Sequence, residues 1–440
     1  MNTRKIVKKF IPKKVFKHIE PYGHLGETAV RQVVAGFPGS KVKIIGVTGT
    51  NGKTTTAFMI HKMLTTAGIK AGLMTTVAYG VGDNLKPQVS HMTTVKTSEL
   101  LKRLKSMEQQ GVEWLVLETT SNALAQNRVW GVKYSIAVFT NLTHEHLDYH
   151  GTFENYRNAK MKLFKMVNKN KHGLRLGIVN ADDPSAKYFK KAIQDCVTYG
   201  VNSGDLRATN IKLASSGVSY SAHVDDDRYD IQCQIPGSFN VSNSLAVVAV
   251  GRALGLSKEQ IEQGIYALNG VAGRMTRIDA GQKFDVIVDF AHTPDSFEKL
   301  FKDLKPVVKG KLIVMFGSAG RRDETKRAIQ GELAGKYADE VIITEEDDRD
   351  IDGVEIMKQI ASGAEKAGKK QDKDLFLVHN REQAIAFAIN RAKKGDSVLL
   401  LGKGHEKTIE RADGEQPWDE IGLAKKALKY DIVEYNEKKL

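Results

Sequence analysis

The chain has 440 residues, two cysteines and a formal net charge of +14 at pH 7. That length gives room for two or three domains, each with its own apolar core. Cys196 and Cys233 stand outside any CxxC pair, which argues against a disulfide framework or a cysteine zinc site and fits a reducing, cytoplasmic compartment. No run approaches the roughly 18–20 apolar residues of a spanning helix, and the basic N-terminus lacks the unbroken apolar stretch of a signal peptide. Without interleaved aromatic and basic residues, the positive charge points to nucleotides, sugar nucleotides or an anionic lipid surface ahead of nucleic acid.

Residues 1–40 read as a separate basic segment. Arg4, Lys5, Lys8, Lys9, Lys13, Lys14 and Lys17 precede the first acidic residue. Ile6, Val7, Phe10 and Ile11 fall at helical spacing until Pro12 interrupts them. Two readings fit: a solvated basic helix packed on the body, or an arm making weak contact with a membrane surface or phosphates. Next comes a unit over residues 41–269. Lys43 to Val47 reads as a buried strand, and Lys53 to Ala67 as a helix stopped by Gly68. Trp114–Leu117 and Ile136–Phe139 are further apolar strands with helical patterns between them, as in a parallel sheet with crossover helices. From Asp205 to Gln234 short alternating runs predict a small antiparallel addition, and Asn243–Leu254 and Lys258–Leu268 predict two helices. Gly270 and Gly273 mark a hinge. Beyond it, residues 270–440 carry strands at Val286–Val288, Leu312–Met315, Val341–Ile343 and Val398–Leu401, a Rossmann-like α/β series.

Between the first strand and its helix lies Gly46-Val47-Thr48-Gly49-Thr50-Asn51-Gly52-Lys53-Thr54-Thr55. Strand, glycine-rich turn, Lys-Thr and helix are the context of a phosphate-binding loop. Its backbone N–H groups can turn inward around an anion at a helix N-terminus. Lys53 would reach the β and γ phosphates of ATP, and the Thr54 hydroxyl would ligate Mg²⁺. The spacing departs from GxxxxGK[ST], because Val47 occupies the first glycine position. Glu118 ends the strand Trp114–Leu117, at the edge of the sheet beside the loop. Alone it reads equally as a surface acid or as an oxygen ligand for Mg²⁺, and the upstream loop favours the ligand. Thr140 to Gly151 then places His144, Glu145, His146, Asp148 and His150 after a strand. Zinc is one reading, although the helical HExxH arrangement is missing; a nucleotide-bound Mg²⁺ site sharing His146 is the other.

Taken together, these segments resemble the Mur ligase family, which adds amino acids to the peptide of the bacterial cell-wall precursor. TGTNGKTT, Glu118, His144–Gly151, Tyr156–Lys160, Gly237–Asn240, Gly273–Met275, Asp289–Asp295 and Gly402–Glu406 fall in family order over roughly residues 42–430. His-Leu-Asp-Tyr-His-Gly and Gly-Lys-Gly-His-Glu look most like the members that add the third residue. That resemblance implies an α/β fold, with a P-loop ATPase domain before a Rossmann-like domain. It implies an ATP- and Mg²⁺-dependent monomer that joins a diamino acid to UDP-N-acetylmuramoyl-L-alanyl-D-glutamate. Lys160 matches a lysine carbamylated in the family, which would share Mg²⁺ with Glu118 and His146. Asn240 matches an adenine contact, Arg274 a phosphate contact of the hinge, and Asp289 a nucleotide contact. Thr93, Thr94, Thr120, Gln126 and Arg128 match positions holding the muramoyl peptide. Arg322, Glu346, Arg349, Gly402 and Glu406 match positions around the incoming amino acid.

The chain departs from the family pattern in three places. About 100 residues, a uridine-binding domain, normally precede the loop; here about 45 do. The usual Asp-Asn-Pro-Arg appears as Glu346-Asp347-Asp348-Arg349. The retained arginine favours meso-diaminopimelate over L-lysine, because a guanidinium can clamp the distal carboxylate. Asn122 and Thr120 replace a frequent histidine and serine. A folylpolyglutamate- or cyanophycin-type ligase, or a nucleotide-binding module without activity, are the alternatives to a muramoyl-peptide ligase.

Overall fold

The computed structural model describes residues 13–88, 92–214 and 216–437, so the apolar pattern at Ile6–Ile11 lies outside the described residues. The strands, in chain order, are β1 (Lys43–Thr48), β2 (Ala71–Met74), β3 (Ala78–Val81), β4 (Asn84–Pro87), β5 (Trp114–Glu118), β6 (Tyr134–Phe139), β7 (Leu176–Asn180), β8 (Asp195–Gly200), β9 (Leu206–Ala214), β10 (Gly217–Val224), β11 (Asp227–Cys233), β12 (Thr276–Ile278), β13 (Asp285–Asp289), β14 (Leu312–Phe316), β15 (Glu340–Ile343), β16 (Leu375–Leu377), β17 (Ser397–Leu401), β18 (Thr408–Arg411) and β19 (Gly414–Pro417). Among the described residues β1–β11 form one sheet in the order β11-β10-β9-β8-β7-β6-β1-β5-β2-β3-β4, and β12–β17 a second in the order β12-β13-β17-β14-β15-β16.

The centre of the first sheet is parallel, from β2 through β5, β1, β6, β7 and β8 to β9. Its middle strands are buried along their whole length, such as Trp114–Glu118 and Tyr134–Phe139. They therefore read as continuous apolar runs rather than alternating ones. The expected antiparallel addition is present as β9–β11, but it is no separate layer: β9 pairs in parallel with β8, so the addition continues the same sheet. Leu206, Ala208, Val218, Tyr220, Ala222, Tyr229 and Ile231 keep one face apolar over the helix Phe239–Ala253. The helix Lys53–Thr66 packs on that face too, and Thr97–Gln109 and Phe153–Lys169 cover the other through Leu104, Leu163 and Phe164.

The second sheet is parallel except for β12. One apolar cluster runs unbroken from Ile45, Met63 and Val247 under the first sheet to Phe297, Val314 and Ile360 under the second. On one side, the helices Thr325–Tyr337 and Gly353–Lys366 approach closely. A Cβ at Gly331 would lie 1.9 Å from the Ile360 carbonyl oxygen, and one at Gly363 1.9 Å from that of Ala328. Backbone blocks both positions, so the helices must separate to accept a methyl group. Gly331→Ala is expected to lower stability by about 3 kcal/mol, at the upper end of overpacking costs; urea denaturation measures it, with Ala328→Gly as a control of ordinary size.

The described part of the basic segment is a helix, Lys13–Ala35. It is held to the body by Thr28 Oγ1, 3.2 Å from Thr97 Oγ1, and by Gln32 Nε2, which donates to the Trp130 carbonyl at 2.8 Å. No helix among the described residues is long and apolar enough to cross a membrane.

Candidate active site

The loop Gly46–Thr55 leaves β1 at the C-terminal edge of the parallel strands, where open α/β sheets bind ligands. The segment after β6 holds its shape. Thr50 N donates to the Asn141 carbonyl at 2.8 Å, Asn51 N to Asn141 Oδ1 at 2.9 Å, and Thr140 Oγ1 to the Asn51 carbonyl at 2.6 Å. Thr50 Oγ1 also lies 3.0 Å from the Tyr156 hydroxyl. Gly52 caps the helix Lys53–Thr66 with φ +82°, and a Cβ there would sit 2.3 Å from Asn243 Oδ1. Glycine is required on both counts. The helix N-terminus thus carries no side-chain cap and no acidic residue in its first turn, which leaves its first N–H groups for an anion.

Three basic side chains converge here. Lys53 Nζ donates to the Thr50 carbonyl at 2.7 Å. Lys160, 1% exposed, donates to the Gly49 carbonyl at 2.6 Å. Burial, then the neighbouring Lys53 charge, hold its pKa well below that of an ordinary lysine. Arg274 Nη2 reaches Thr54 Oγ1 at 3.4 Å across the junction between the sheets, and its guanidinium lies 4.4 Å from the Phe290 ring centroid. Its Nε is buried without a partner.

Facing them is Glu118, 1% exposed. Its Oε2 accepts from Thr54 Oγ1, Thr76 N and Thr76 Oγ1, all at 3.0 Å, while its Oε1 accepts no hydrogen bond among the described residues. A buried carboxylate with one uncommitted oxygen beside a threonine hydroxyl is a donor set that suits a hard cation such as Mg²⁺. His146 adopts φ +56° at the start of the helix Leu147–His150. Its Nε2 lies 3.8 Å from Glu145 Oε2, while Glu145 Oε1 lies 3.2 Å from His292 Nε2 of the second sheet's loops. Burial opposes the Glu145 charge, but His146, His292 and Lys53 outweigh it and hold the carboxyl far below its usual range.

The other expected residues are placed as follows. Thr55 is buried behind Thr54. Asn240 is fully buried; its amide donates to the Pro236 carbonyl at 2.8 Å and accepts from Asn243 Nδ2 at 2.9 Å. It thus meets the loop only through Asn243. Asp289 accepts from Met275 N and Ala291 N, each at 2.7 Å, so its carboxylate staples the segment before β12 to the end of β13. Thr93 Oγ1 lies 2.9 Å from Thr76 Oγ1, and Thr94 Oγ1 donates to the Glu118 carbonyl at 3.0 Å and lies 3.3 Å from Thr120 Oγ1. Arg128 donates to the Thr94 carbonyl, and burial lowers its pKa to about 10. Gln126 caps the short helix Ser121–Ala125 nearby. Of these five, Thr94 touches Glu118 directly, through its backbone carbonyl, and Thr93 reaches it through Thr76.

A second group surrounds β17. Glu346 is buried with Oε2 unpartnered, and a Cβ at Gly402 would lie 2.5 Å from that oxygen. Glu406 pairs with Lys403 at 2.6 Å, and Lys403 with Asp347 at 2.9 Å. Arg349 pairs with Glu410 at 2.7 Å, and Arg322 is exposed. Among the described residues Glu345, Asp348 and His379 bring three ligand atoms within 4.8 Å of one another. Both oxygens of Glu345 are taken by Arg411, at 2.7 and 2.8 Å, so the trio is closed by an ion pair.

Sequence reasoning missed several of these residues. Thr76, which fixes the Glu118 carboxylate, follows a four-residue strand too short to show periodicity. Asn51 Nδ2 donates to Asp295 Oδ2 at 2.9 Å, tying the loop to the helix Pro294–Leu304. His405 lies beside the Thr76 backbone, and burial followed by the Arg274 charge drops its pKa to about 3. Asp295, His292 and His405 all lie in motifs quoted from the sequence, but only folding shows that each bridges the two sheets.

Residues 47–251 match the Mur ligase middle domain, and residues 273–404 the Mur ligase glutamate ligase domain. The UDP-N-acetylmuramyl-tripeptide synthetase of Roseiflexus sp. (strain RS-1) is 41% identical, covering 89% of this chain and 80% of its own length. The UDP-N-acetylmuramoyl-L-alanyl-D-glutamate–2,6-diaminopimelate ligase 1 of Clostridium acetobutylicum is 39% identical over 92% of this chain and 82% of its own. A solved structure of a UDP-N-acetylmuramoyl-L-alanyl-D-glutamate–2,6-diaminopimelate ligase superposes with a TM-score of 0.62 at 30% identity, covering 89% of this chain and 79% of that one. The site and these likenesses define an ATP-dependent, ADP-forming amide ligase. The chain belongs to the Mur ligase family, whose members use ATP and Mg²⁺.

Proposed function

We propose that the chain joins a diamino acid, meso-diaminopimelate ahead of L-lysine, to UDP-N-acetylmuramoyl-L-alanyl-D-glutamate. The observation that carries this reading is the convergence of Lys53, Thr54, Glu118, Lys160 and Arg274 at one strand edge, with Arg274 arriving from the second sheet. The named relatives support the substrate class. The division into 41–269 and 270–440 is part of the same reading, with Gly273 at the joint. There φ is +68°, and a Cβ would lie 2.2 Å from His405 N, so the hinge and the His405 loop close face to face.

Lys53 and the inward N–H groups hold the ATP phosphates while the glutamate side-chain carboxylate of the muramoyl dipeptide attacks the γ-phosphorus. Thr54, Glu118, His146 and a carbamate on Lys160 would hold Mg²⁺, which supplies charge neutralisation between phosphates and nucleophile when bound. Arg274 adds positive charge beside Thr54. ADP leaves an acyl phosphate, and the acceptor's amine, oriented by Glu346, Arg349 and Glu406, attacks its carbonyl; phosphate departs and the amide remains. The contacts Asn51–Asp295, Glu145–His292 and His405–Thr76 hold the halves together and keep water from the acyl phosphate.

ADP release with UDP-muramoyl dipeptide and each of meso-diaminopimelate, L-lysine and L-ornithine tests this reading. Turnover is expected with meso-diaminopimelate; none with any acceptor, alongside tight ATP binding, would make the chain a nucleotide-binding module.

A further inference from the structure

A two-stranded hairpin, β18–β19, stands outside both large sheets. It is bound to the loop Glu345–Arg349 by a run of directed bonds. Arg349 N donates to the Glu410 carbonyl at 3.0 Å, Glu410 N donates to Asp347 Oδ1 at 2.9 Å, and Arg411 takes both Glu345 oxygens. At its centre, Arg349 Nε donates to Glu410 Oε2 at 2.7 Å, and Nη1 donates to the Gly320 carbonyl. Nη2 makes no hydrogen bond among the described residues and lies 4.0 Å from Asp347 Oδ2. The backbone at Arg349 has φ +58°, a conformation a non-glycine residue seldom holds without support.

This geometry has a chemical consequence. A guanidinium recognises a carboxylate through two parallel N–H groups, and only if its plane is fixed. With Nε and Nη1 each holding one bond, the plane is set, and the second N–H of Nη1 and both of Nη2 make no hydrogen bond among the described residues, which leaves the Nη1–Nη2 end as the fork. Three residues before Arg349 in the same loop, Glu346 is buried with Oε2 unpartnered beside Gly402, an acceptor suited to an ammonium group. A side chain ending in an ammonium and a carboxylate on one carbon meets both; one ending in an amine alone leaves Nη2 without a partner.

We propose that Glu410 is a positioning residue for acceptor choice: it orients Arg349 so that the enzyme selects an amino acid with a distal carboxylate. This rests on Arg349 facing the acceptor, as the reading of the function above has it.

Steady-state kinetics on four proteins test it: wild type, Glu410→Ala, Arg349→Ala and the double variant. Glu410→Ala is expected to raise KM for meso-diaminopimelate about tenfold, the scale of one charge-assisted bond, with KM for ATP and for the muramoyl substrate unchanged. Glu410→Gln, whose amide oxygen can still accept from Nε, should recover most of that loss. Adding Glu410→Ala to Arg349→Ala should change nothing further, because the effect passes through the arginine. A merely structural hairpin would instead shift all three KM values and kcat together. The proposal falls if Glu410→Ala leaves KM for meso-diaminopimelate unchanged while Arg349→Ala raises it. It falls as well if Arg349→Ala has no effect, or if only L-lysine is used, and in those cases the reading of Arg349 as an acceptor residue fails with it.

Discussion

Lys53→Ala is expected to lower the rate of ADP formation by roughly 10³-fold, as for loss of a preorganised charge at a developing anion. The structure separates this effect from loss of folding. Lys53 lies at the first turn of its helix, half-buried, and its Nζ has a single partner, the Thr50 carbonyl at 2.7 Å. Removing it breaks no core packing, so thermal unfolding should be nearly unchanged. What disappears is the charge that reaches the β and γ phosphates, together with its influence on its surroundings. The Lys53 charge helps depress the pKa of Lys160 and of His146 and helps hold the Glu145 carboxyl low. Lys53→Arg is expected to fail almost as badly, because a planar fork cannot replace a compact ammonium beneath a loop this close. ADP release at the wild-type rate from Lys53→Ala would sink the phosphate-loop assignment.

Legibility in the sequence followed the physics of each element. Strands buried on both faces, such as Ile136–Phe139 and Leu312–Phe316, are unbroken apolar runs and were readable directly. The strand–turn–helix at Gly46–Thr55 was readable because glycines before Lys53 and Thr54 mark a tight turn between an apolar run and a helix. The continuation of the sheet through β8 and β9 was not, since their parallel pairing, Tyr199 with Leu206 and Gly200 with Arg207 across the short connection 201–205, leaves no local mark in the sequence. The same holds for the site. Glu118 could be placed at a strand end, but that Thr76 and Thr54 converge on its Oε2 depends on a short strand, β2, lying next to β5. Asn240 is a further case: the resemblance implies an adenine contact, and the bonds that set its amide, to the Pro236 carbonyl and from Asn243 Nδ2, leave no mark in the local sequence pattern. Asp347 and Asp348, departures in the sequence, prove to be bonded to Lys403 and Glu410 in one case and to His379 in the other.

Lys160→Ala is expected to lose at least about 10²-fold in activity and to regain part of it when short carboxylates such as formate or acetate are added. An unmodified Lys160 presents a physical problem: an ammonium 1% exposed, near Lys53, with Gly49's carbonyl as its hydrogen-bond partner. Burial and the Lys53 charge both favour the neutral amine. A neutral amine is also the form that adds carbon dioxide, and the resulting carbamate turns a cation facing Glu118 into an oxygen donor beside it. The sign with pH follows. Because the pKa is depressed, the reactive amine persists to lower pH than in an ordinary lysine, and the protonated form returns as pH falls through that lowered value. Carbamylation, and activity with it, should therefore be lost on the acid side. Enzyme stripped of carbon dioxide should recover on addition of bicarbonate at pH 8 and recover poorly at pH 6. Lys160→Ala should respond to formate and not to bicarbonate. Full activity of Lys160→Ala without any added anion would overturn the carbamate and leave the buried lysine a purely structural support for the Gly49 carbonyl.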